Sequence, residues 1–447
     1  MIAQLDTKSV YTFMESLVTI KEYVQVAKSM GYDALGIMDV DNLYGAYEFI
    51  EACQAQKLSP LVGLEIGLEV DNETIPFRMM ALSTKGYQNL MKMSTVKMMG
   101  KSNWEDVKHL TEGVAVIVPA PFASEDIPLG LDYFIGVFAD TPDQEFSHPV
   151  LPLHTVRFFE AEDMEAMQML AAIKDNQSLT ETGPIDQTTV LKTPQDLKND
   201  FAERFPQAIT NLENLVQGIQ YDIDTQLKLP CFNPQKPAVE ELRELAQAGL
   251  LRKNLTSPVY QERLEHELDI IHQMGFDDYF LIVWDLLRFG RSQGYYMGMG
   301  RGSAVGSLVA YALGITGIDP VEKNLLFERF LNVERYTMPD IDIDIPDIYR
   351  PEFIRYVRDR YGSYHAAQIV TFSTFGAKQA IRDVFKRFGV PEYELTSITK
   401  RIGFRDTLTT AYEQNLAFRQ VIHSRAEFER GFEIAKRIEG QPRQTSI

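Results

Sequence analysis

The sequence of 447 residues predicts a multidomain protein of the α/β and α+β classes, and three observations support that prediction. Helix and strand patterns alternate over the first 70 residues, which is typical of a sheet with parallel strands, either open or closed into a barrel. A stretch from about 206 to 240 contains Pro230, Pro234 and Pro237 and resembles connecting structure, so we place a domain boundary near it. Beyond Arg350 the pattern is helical, with basic residues at intervals.

The individual elements follow from caps and periodicity. Thr19 can cap a helix that Gly31 ends, and Pro258 suits the first turn of another helix that Gly275 ends. We predict helices over residues 20–30, 43–56 and 258–274. We predict strands over residues 34–38, 61–70, 114–119 and 149–156.

Composition narrows the function classes. No uninterrupted apolar run approaches about 18 residues, which argues against a membrane span, and the first residues carry no export signal. Cys53 and Cys231 are the only cysteines, so we expect a cytoplasmic protein without a disulfide framework. The formal net charge is −19, yet from Ile345 onward 17 basic residues outnumber 12 acidic ones. The carboxy-terminal portion is therefore the part suited to contact nucleic acid.

The segment MPDIDIDIPD is the sharpest functional signal. Asp340, Asp342 and Asp344 alternate with isoleucines, which predicts a strand with its carboxylates on one face and its isoleucines toward the core. Neighbouring carboxylates can bridge two magnesium ions about 3.5–4 Å apart, as in-line phosphoryl transfer requires. The alternative is an edge strand whose acidic face only discourages aggregation.

About 40 residues upstream lies the glycine-rich turn GMGRGSAVGS, followed by an apolar helix. Glycines such as Gly302 let a backbone approach an anion, and a helix start directs amide groups at it. Arg301 adds a cation, and Ser303 and Ser307 add hydroxyl groups. The spacing matches neither a Walker A loop nor a dinucleotide fingerprint, and a plain turn into a packed helix is the alternative.

A third candidate site is a basic helix face. Lys378, Arg382 and Lys386 recur every fourth residue, so their side chains align and can follow a phosphate backbone. The alternative is a solvated face that Asp383 and Glu392 balance.

Three longer motifs carry a family resemblance. The segments GRGSAVGSLVAYALGIT, LLFERFLNVERYTMPDIDIDI and DDYFLIVWDLLRF resemble the palm of bacterial C-family DNA polymerases, the DNA polymerase III alpha subunits. The resemblance implies a palm with a polymerase-beta-like nucleotidyltransferase fold, in which Gly302 and Ser303 hold the incoming triphosphate. It also implies that Asp342 and Asp344 are the catalytic ligands of two Mg²⁺ ions, with Asp340 as an accessory or structural acid and a further candidate ligand.

The amino-terminal region is similar to the PHP domain of the same family, the polymerase-and-histidinol-phosphatase domain, which is a distorted β/α barrel. Where a metal-binding member has His-x-His, this chain has Asp6-Thr7-Lys8, and most other histidine ligands are also replaced. We therefore expect a degenerate metal site and a structural role for this domain. Asp39 and Glu65 remain, and we interpret them as ordinary polar residues.

The resemblance also implies an overall organisation: a PHP-like domain over 1–205, the first part of the palm over 206–370, and a helical thumb that grips primer-template DNA over 371–447. In the family a third metal-binding aspartate and the fingers follow, so we expect the full-length protein to extend primers and this chain alone to be inactive. The implied partners are primer-template DNA, deoxynucleoside triphosphates, the sliding clamp and other replisome subunits, with no membrane.

Three alternative functions are therefore consistent with the sequence. The leading one is a replicative DNA polymerase that works by two-metal nucleotidyl transfer. The second is a PHP-type phosphoesterase, against which the missing histidines count. The third is a non-catalytic replisome scaffold.

Overall fold

The computed structural model describes residues 2–123, 127–334, 338–363 and 365–446. Two compact units emerge, one from Met1–Asp224 together with Val370–Ile447, the other from Thr225–Ile369. The boundary after Asp224 falls inside the stretch interpreted as connecting structure. Within the described ranges, no helix is both long and apolar enough to cross a lipid bilayer.

The first unit begins with a mixed sheet whose strands pair in chain order. Its described strands are β1 (Ala3–Gln4), β2 (Ala34–Val40), β3 (Ser59–Val70), β4 (Glu73–Ala81), β5 (Val114–Pro119), β6 (Phe134–Val137) and β7 (Val150–Pro152). β1 to β3 are parallel, β4 is antiparallel to both β3 and β5, and β5 to β7 are parallel again. Thr7 and Val156 form a parallel bridge beyond the two edge strands, so the sheet curls toward closure. The curled mixed sheet agrees with the predicted distorted barrel.

The helices of this region lie between its strands along the chain or follow the last strand. They are α1 (Ile20–Met30), α2 (Ala46–Ala55), α3 (Thr84–Met98), α4 (Trp104–Val107), α5 (Met164–Lys174), α6 (Pro194–Ala202) and α7 (Pro206–Leu215). The predicted elements over 20–30, 34–38, 43–56, 61–70 and 114–119 are confirmed, with ends that shift by a few residues. The strand expected over 149–156 is shorter, and α7 occupies part of the stretch interpreted as connecting structure.

The second unit is helical around a single buried core. Its helices are α8 (Ala238–Arg252), α9 (Pro258–Gln273), α10 (Asp277–Ser292), α11 (Leu308–Ala312) and α12 (Arg350–Tyr361). The helix predicted from Pro258 is confirmed, with its buried stripe of Leu264, Leu268 and Ile271. This unit holds both the glycine-rich turn and the acidic segment.

The segment Val370–Ile447 belongs to the first unit. Its elements are β8 (Thr371–Thr374), α13 (Ala377–Arg387), α14 (Glu392–Thr399), α15 (Leu408–Gln414), α16 (Leu416–Ile422), α17 (Ala426–Ile438) and β9 (Pro442–Ser446). Phe375, Ile381 and Phe385 share a hydrophobic core with Met169 and Leu170 of α5. The carboxy-terminal helices are thus packed onto the amino-terminal region, and the division into 1–205, 206–370 and 371–447 stays a prediction.

A buried network of charges lies at the centre of the curled sheet. Lys8 and Asp6 are both fully buried, and their Nζ and Oδ1 atoms are 2.5 Å apart. The Lys8 amine also lies 2.7 Å from Glu65 Oε2 and donates to the carbonyl of Met38 at 2.7 Å. Arg78 contacts Glu65 at 3.0 Å and Asp6 at 3.4 Å. The positions expected to carry His-x-His in a metal-binding member thus hold an acid and an amine that pair with each other.

Nearby charges stabilise the carboxylate of Asp6, and hydrogen bonds stabilise that of Asp39. Burial alone would raise the pKa of Asp6, but the charges of Lys8 and Arg78 outweigh it and hold that pKa well below its usual range. Asp39 accepts hydrogen bonds from the amide and hydroxyl of Ser9 and from the hydroxyl of Thr12. Burial nonetheless raises the pKa of Asp39.

Replacing Lys8 by methionine should lower the free energy of unfolding of the first unit by about 3–5 kcal/mol, because it leaves two buried carboxylates with one cation between them. The loss should narrow as the pH falls below about 4. The pKa of Asp6 is lowered in the folded state, so its contribution to stability is complete above the unfolded pKa and is lost progressively as the pH falls toward the folded pKa.

Urea denaturation followed by Trp104 fluorescence, with Trp284→Phe in every variant, would report on this unit alone. Lys108→Met is the matched control, because Lys108 forms an exposed pair with Glu105. We expect that control to change stability by less than about 1 kcal/mol. Equal effects of the two substitutions would contradict a stabilising role for Lys8.

Candidate nucleotide and metal site

The glycine-rich turn approaches the acidic segment closely because its glycines lack side chains. A Cβ on Gly298 would lie 2.7 Å from the Cβ of Asp344, and a Cβ on Gly302 would lie 3.0 Å from Asp342 Oδ2. Gly302 also has a φ of +76°, in the left-handed region that favours glycine. The backbone conformation therefore favours glycine at position 302, and the contact with Asp342 leaves little room for a side chain.

The acidic segment is not the strand that its alternation predicts. Within the described residues its only ladder pairing is a single antiparallel bridge between Arg301 and Asp342. The facing turn has positive φ angles at Gly300 and Gly302, and this backbone cannot continue a strand ladder. The amide of Gly298 still donates to the carbonyl of Asp344 at 3.1 Å, which keeps the two segments together.

The side chains of the acidic segment still alternate between core and solvent, although its described residues form no strand ladder. Ile341 is buried, and Ile343 and Ile345 pack against the core of the second unit. Asp340 and Asp344 are exposed and Asp342 is half-buried, so the acids lie on the solvent side as predicted. Residues 335–337 belong to the motif LLFERFLNVERYTMPDIDIDI, and they lie outside the described residues.

Arg301 brings the two predicted catalytic aspartates together. Its Nη2 atom lies 3.1 Å from Asp342 Oδ1, and its Nε atom lies 3.2 Å from Asp344 Oδ1. The three side chains are 61%, 32% and 55% exposed respectively, so these are open surface pairs and not a buried salt bridge. Two carboxylates that converge on one cation from the solvent side also have the oxygen donors that a hard divalent cation prefers.

A tyrosine supports the acidic segment from behind. Tyr279 belongs to α10 and lies in the motif DDYFLIVWDLLRF, and its hydroxyl accepts a hydrogen bond from the amide of Ile341 at 3.3 Å. Burial raises the pKa of Tyr279, and the negative charges of Asp340 and Asp342 raise it further. Tyr279 therefore acts here as a neutral support for the backbone.

The two serines of the turn have different environments. Ser303 begins a short 3-10 turn, Ser303–Gly306, and its side chain is exposed. Ser307 is fully buried, and its hydroxyl donates to Glu267 at 2.9 Å and accepts from the amide of Ala310 at 3.1 Å. The prediction that Ser307 contacts a nucleotide conflicts with this burial, so Ser307 does not belong to the candidate site.

Glu267 is the residue of this region that the sequence prediction missed. It is fully buried in α9, and its carboxylate accepts from the amides of Leu308 and Val309, each at 3.0 Å. Arg263 Nε lies 2.6 Å from its Oε1 atom. Burial raises the pKa of Glu267, against the lowering effect of these donors. The sequence contained one signal for Glu267, because it is an acidic residue on the apolar stripe of a predicted amphipathic helix.

The basic face of α13 forms as predicted. Lys378 and Lys386 are exposed and Arg382 is partly exposed on the same side of the helix. Arg382 forms an ion pair with Glu392, one of the two acids expected to balance this face. Asp383 instead contacts Arg443 and Gln379.

Comparisons with known proteins match both parts of the chain. The family model described as the bacterial DNA polymerase III alpha NTPase domain matches residues 240–447, and the PHP domain model matches residues 4–127. The first of these regions contains the turn, the acidic segment, Glu267 and the basic face of α13.

Similar proteins extend the match to the whole chain. The DNA polymerase III subunit alpha of Streptococcus pyogenes serotype M3 is 59% identical over 449 residues, which cover 100% of this chain and 43% of that protein. The Bacillus subtilis (strain 168) subunit is 35% identical over 489 residues, which cover 99% of this chain and 44% of that protein. The chain thus spans less than half the length of these relatives. The similarity extends from end to end, so over its whole length the chain is similar to bacterial DNA polymerase III alpha subunits.

Proposed function

We propose that the second unit provides part of the active site of a template-directed replicative DNA polymerase. In this proposal Asp342 and Asp344 hold two Mg²⁺ ions, and Arg301, Gly302 and Ser303 hold the triphosphate of the incoming deoxynucleotide. The observation that supports it best is the convergence of both aspartates on Arg301, beside a turn whose backbone is open to solvent.

Each group would make a distinct contribution to nucleotidyl transfer. The two carboxylates attract divalent cations, which would lower the pKa of the primer 3′-hydroxyl and neutralise charge on the α-phosphate. Gly302 lets phosphate oxygens approach the backbone, and the exposed hydroxyl of Ser303 can donate to them. Because its ion pairs are exposed, Arg301 can exchange a carboxylate for a phosphate at little cost. Asp340 is exposed on the same segment, and we propose it as an accessory acid and a further candidate ligand.

The wider assignment extends this proposal to the rest of the chain. We propose a PHP-like domain over 1–205, a palm over 206–370 and a thumb over 371–447, whose basic face on α13 contacts primer-template DNA. The relatives are named as subunits, and on that basis we propose that this chain also assembles with other replication proteins, the sliding clamp among them.

The contacts of Lys8 favour the polymerase over a PHP-type phosphoesterase. In the curled sheet, Asp6 and Glu65 are already paired with the amine of Lys8 and the guanidinium of Arg78. A divalent cation would have to displace two buried cations to reach these oxygens, at the cost of leaving those cations unpaired.

Asparagine at position 342 or 344 should reduce nucleotide incorporation by about a thousandfold or more, because each change removes an anionic ligand of the metal pair. The assay is primer extension with Mg²⁺ in a polypeptide that carries this chain. Asp347→Asn is the matched control on the same exposed segment, and we expect its activity to stay within about tenfold of wild type. Full activity in Asp342→Asn would refute the metal assignment.

The same assay on the 447-residue chain alone should give no extension, since the family resemblance implies a third metal-binding aspartate elsewhere. Extension by this chain that Asp342→Asn abolishes would show that two carboxylates suffice.

Alanine at both Lys378 and Lys386 should weaken binding to primer-template duplex at low salt. The slope of log K against log salt should fall by about one for each of the two lysines that binds a phosphate group. Fluorescence anisotropy over a salt series measures both the affinity and the slope. Lys21 and Lys28 are exposed on α1, and their double alanine variant is a control with the same change in charge. Equal effects of the two double variants would indicate only a general decrease in positive charge.

A further inference from the structure

The start of α11 is already occupied by a protein carboxylate. The amides of Leu308 and Val309, which a helix start would direct at a bound anion, donate to the two oxygens of Glu267 at 3.0 Å each. The hydroxyl of Ser307 donates to the same carboxylate at 2.9 Å. These donors are therefore not free for a triphosphate, contrary to the sequence prediction for the helix start.

We propose that Glu267, together with Arg263, is the positioning pair of the nucleotide site. In this inference the pair holds residues 306–309 so that Arg301, Gly302 and Ser303 stand at the correct distance from Asp342 and Asp344. The triphosphate is then held by residues 301–303 and not by the start of α11. The inference rests on the proposed polymerase function and names two residues that do not touch the substrate.

Glu267 and Arg263, one turn apart on α9, contact both the donors and the acceptors of this part of the chain. Glu267 accepts from the amides and hydroxyl of residues 307–309, while Arg263 Nη2 donates to the carbonyls of Gly306 and Leu325 at 3.0 and 3.1 Å. A Cβ on Gly306 would lie 2.8 Å from the carbonyl oxygen of Leu326, so the backbone at position 306 packs too closely on Leu326 for a side chain. Residues 306–309 are thus fixed by ionic and steric contacts together.

Only a few residues separate Gly306 from residues 301–303, which are proposed to hold the triphosphate. The 3-10 turn Ser303–Gly306 contains only four residues, with Ala304 and Gly306 buried. Arg301 and Gly302 precede it directly, and the backbone of Arg301 bridges Asp342. A shift at position 306 is therefore carried within one turn to the residues that face the aspartates. Such a shift would move residues 301–303 away from the phosphate oxygens that they are proposed to hold, and so weaken nucleotide binding.

The test is Glu267→Gln in a polypeptide that carries this chain. Glutamine has the same shape, but its amide nitrogen cannot accept the hydrogen bonds that one carboxylate oxygen accepts. We expect the KM for deoxynucleotide to rise by about tenfold or more, with kcat reduced less than about threefold and the Kd for primer-template unchanged. A purely structural residue would instead lower the active fraction, and hence the apparent kcat, without moving KM.

Glu265→Gln is the matched control on the same helix, because Glu265 is paired with Arg243 on the surface. Its KM should equal that of wild type. If Glu267→Gln does not fold at the assay temperature, Arg263→Lys keeps the charge beside Glu267 and removes the donors to Gly306 and Leu325. That variant should raise the KM in the same direction, and an unchanged KM in whichever of the two variants is folded overturns the inference.

Asp342→Asn, measured in parallel, separates the two proposals. Loss of incorporation in Asp342→Asn with an unchanged KM in Glu267→Gln would leave the polymerase assignment intact and refute the positioning role. Full incorporation by Asp342→Asn would refute the proposed function, and with it the positioning role that rests on it.

Discussion

The candidate site depends on the close pairing of a glycine-rich turn with an acidic segment some 40 residues further along the chain. Gly298 and Gly302 allow this approach because any side chain there would collide with Asp344 or crowd Asp342. The pairing is held by the backbone bridge at Arg301 and by its guanidinium, which contacts both carboxylates. Charge attraction and the absence of side chains thus act together to bring two carboxylates next to a turn that carries a cation.

Buried charges support each of the two units in a related way. In the first unit the amine of Lys8 lies between Asp6 and Glu65 at the centre of the curled sheet. In the second unit Glu267 is buried against Arg263 and the start of α11. A buried ion is costly unless charges and hydrogen bonds compensate it, so each of these groups constrains the position of every partner around it. Removing one partner would leave an uncompensated buried charge for the others.

Local sequence signals predicted much of the fold where one element could be judged alone. Gly31 has a φ of +92° at the end of α1, as a glycine helix stop should. The strand over 114–119 is predicted to the residue because it is short, apolar and bounded. The prediction missed α3, whose lysines and methionines follow no clear period, and the antiparallel strand β4, which contains Pro76. The direction of strand pairing depends on distant partners, which periodicity does not encode.

The sequence by itself determined the chemistry of the candidate sites. The second unit has alternating aspartates and isoleucines and a turn of glycine, arginine and serine; the first unit has three cations spaced four residues apart. Only the tertiary structure decided how those groups are used. It replaced the expected strand by a single bridge at Asp342, and it buried Ser307 against Glu267 while leaving Ser303 exposed. The physical reason is that exposure and pairing depend on contacts between residues far apart in the chain. The same local pattern of residues is compatible with either outcome until those contacts form.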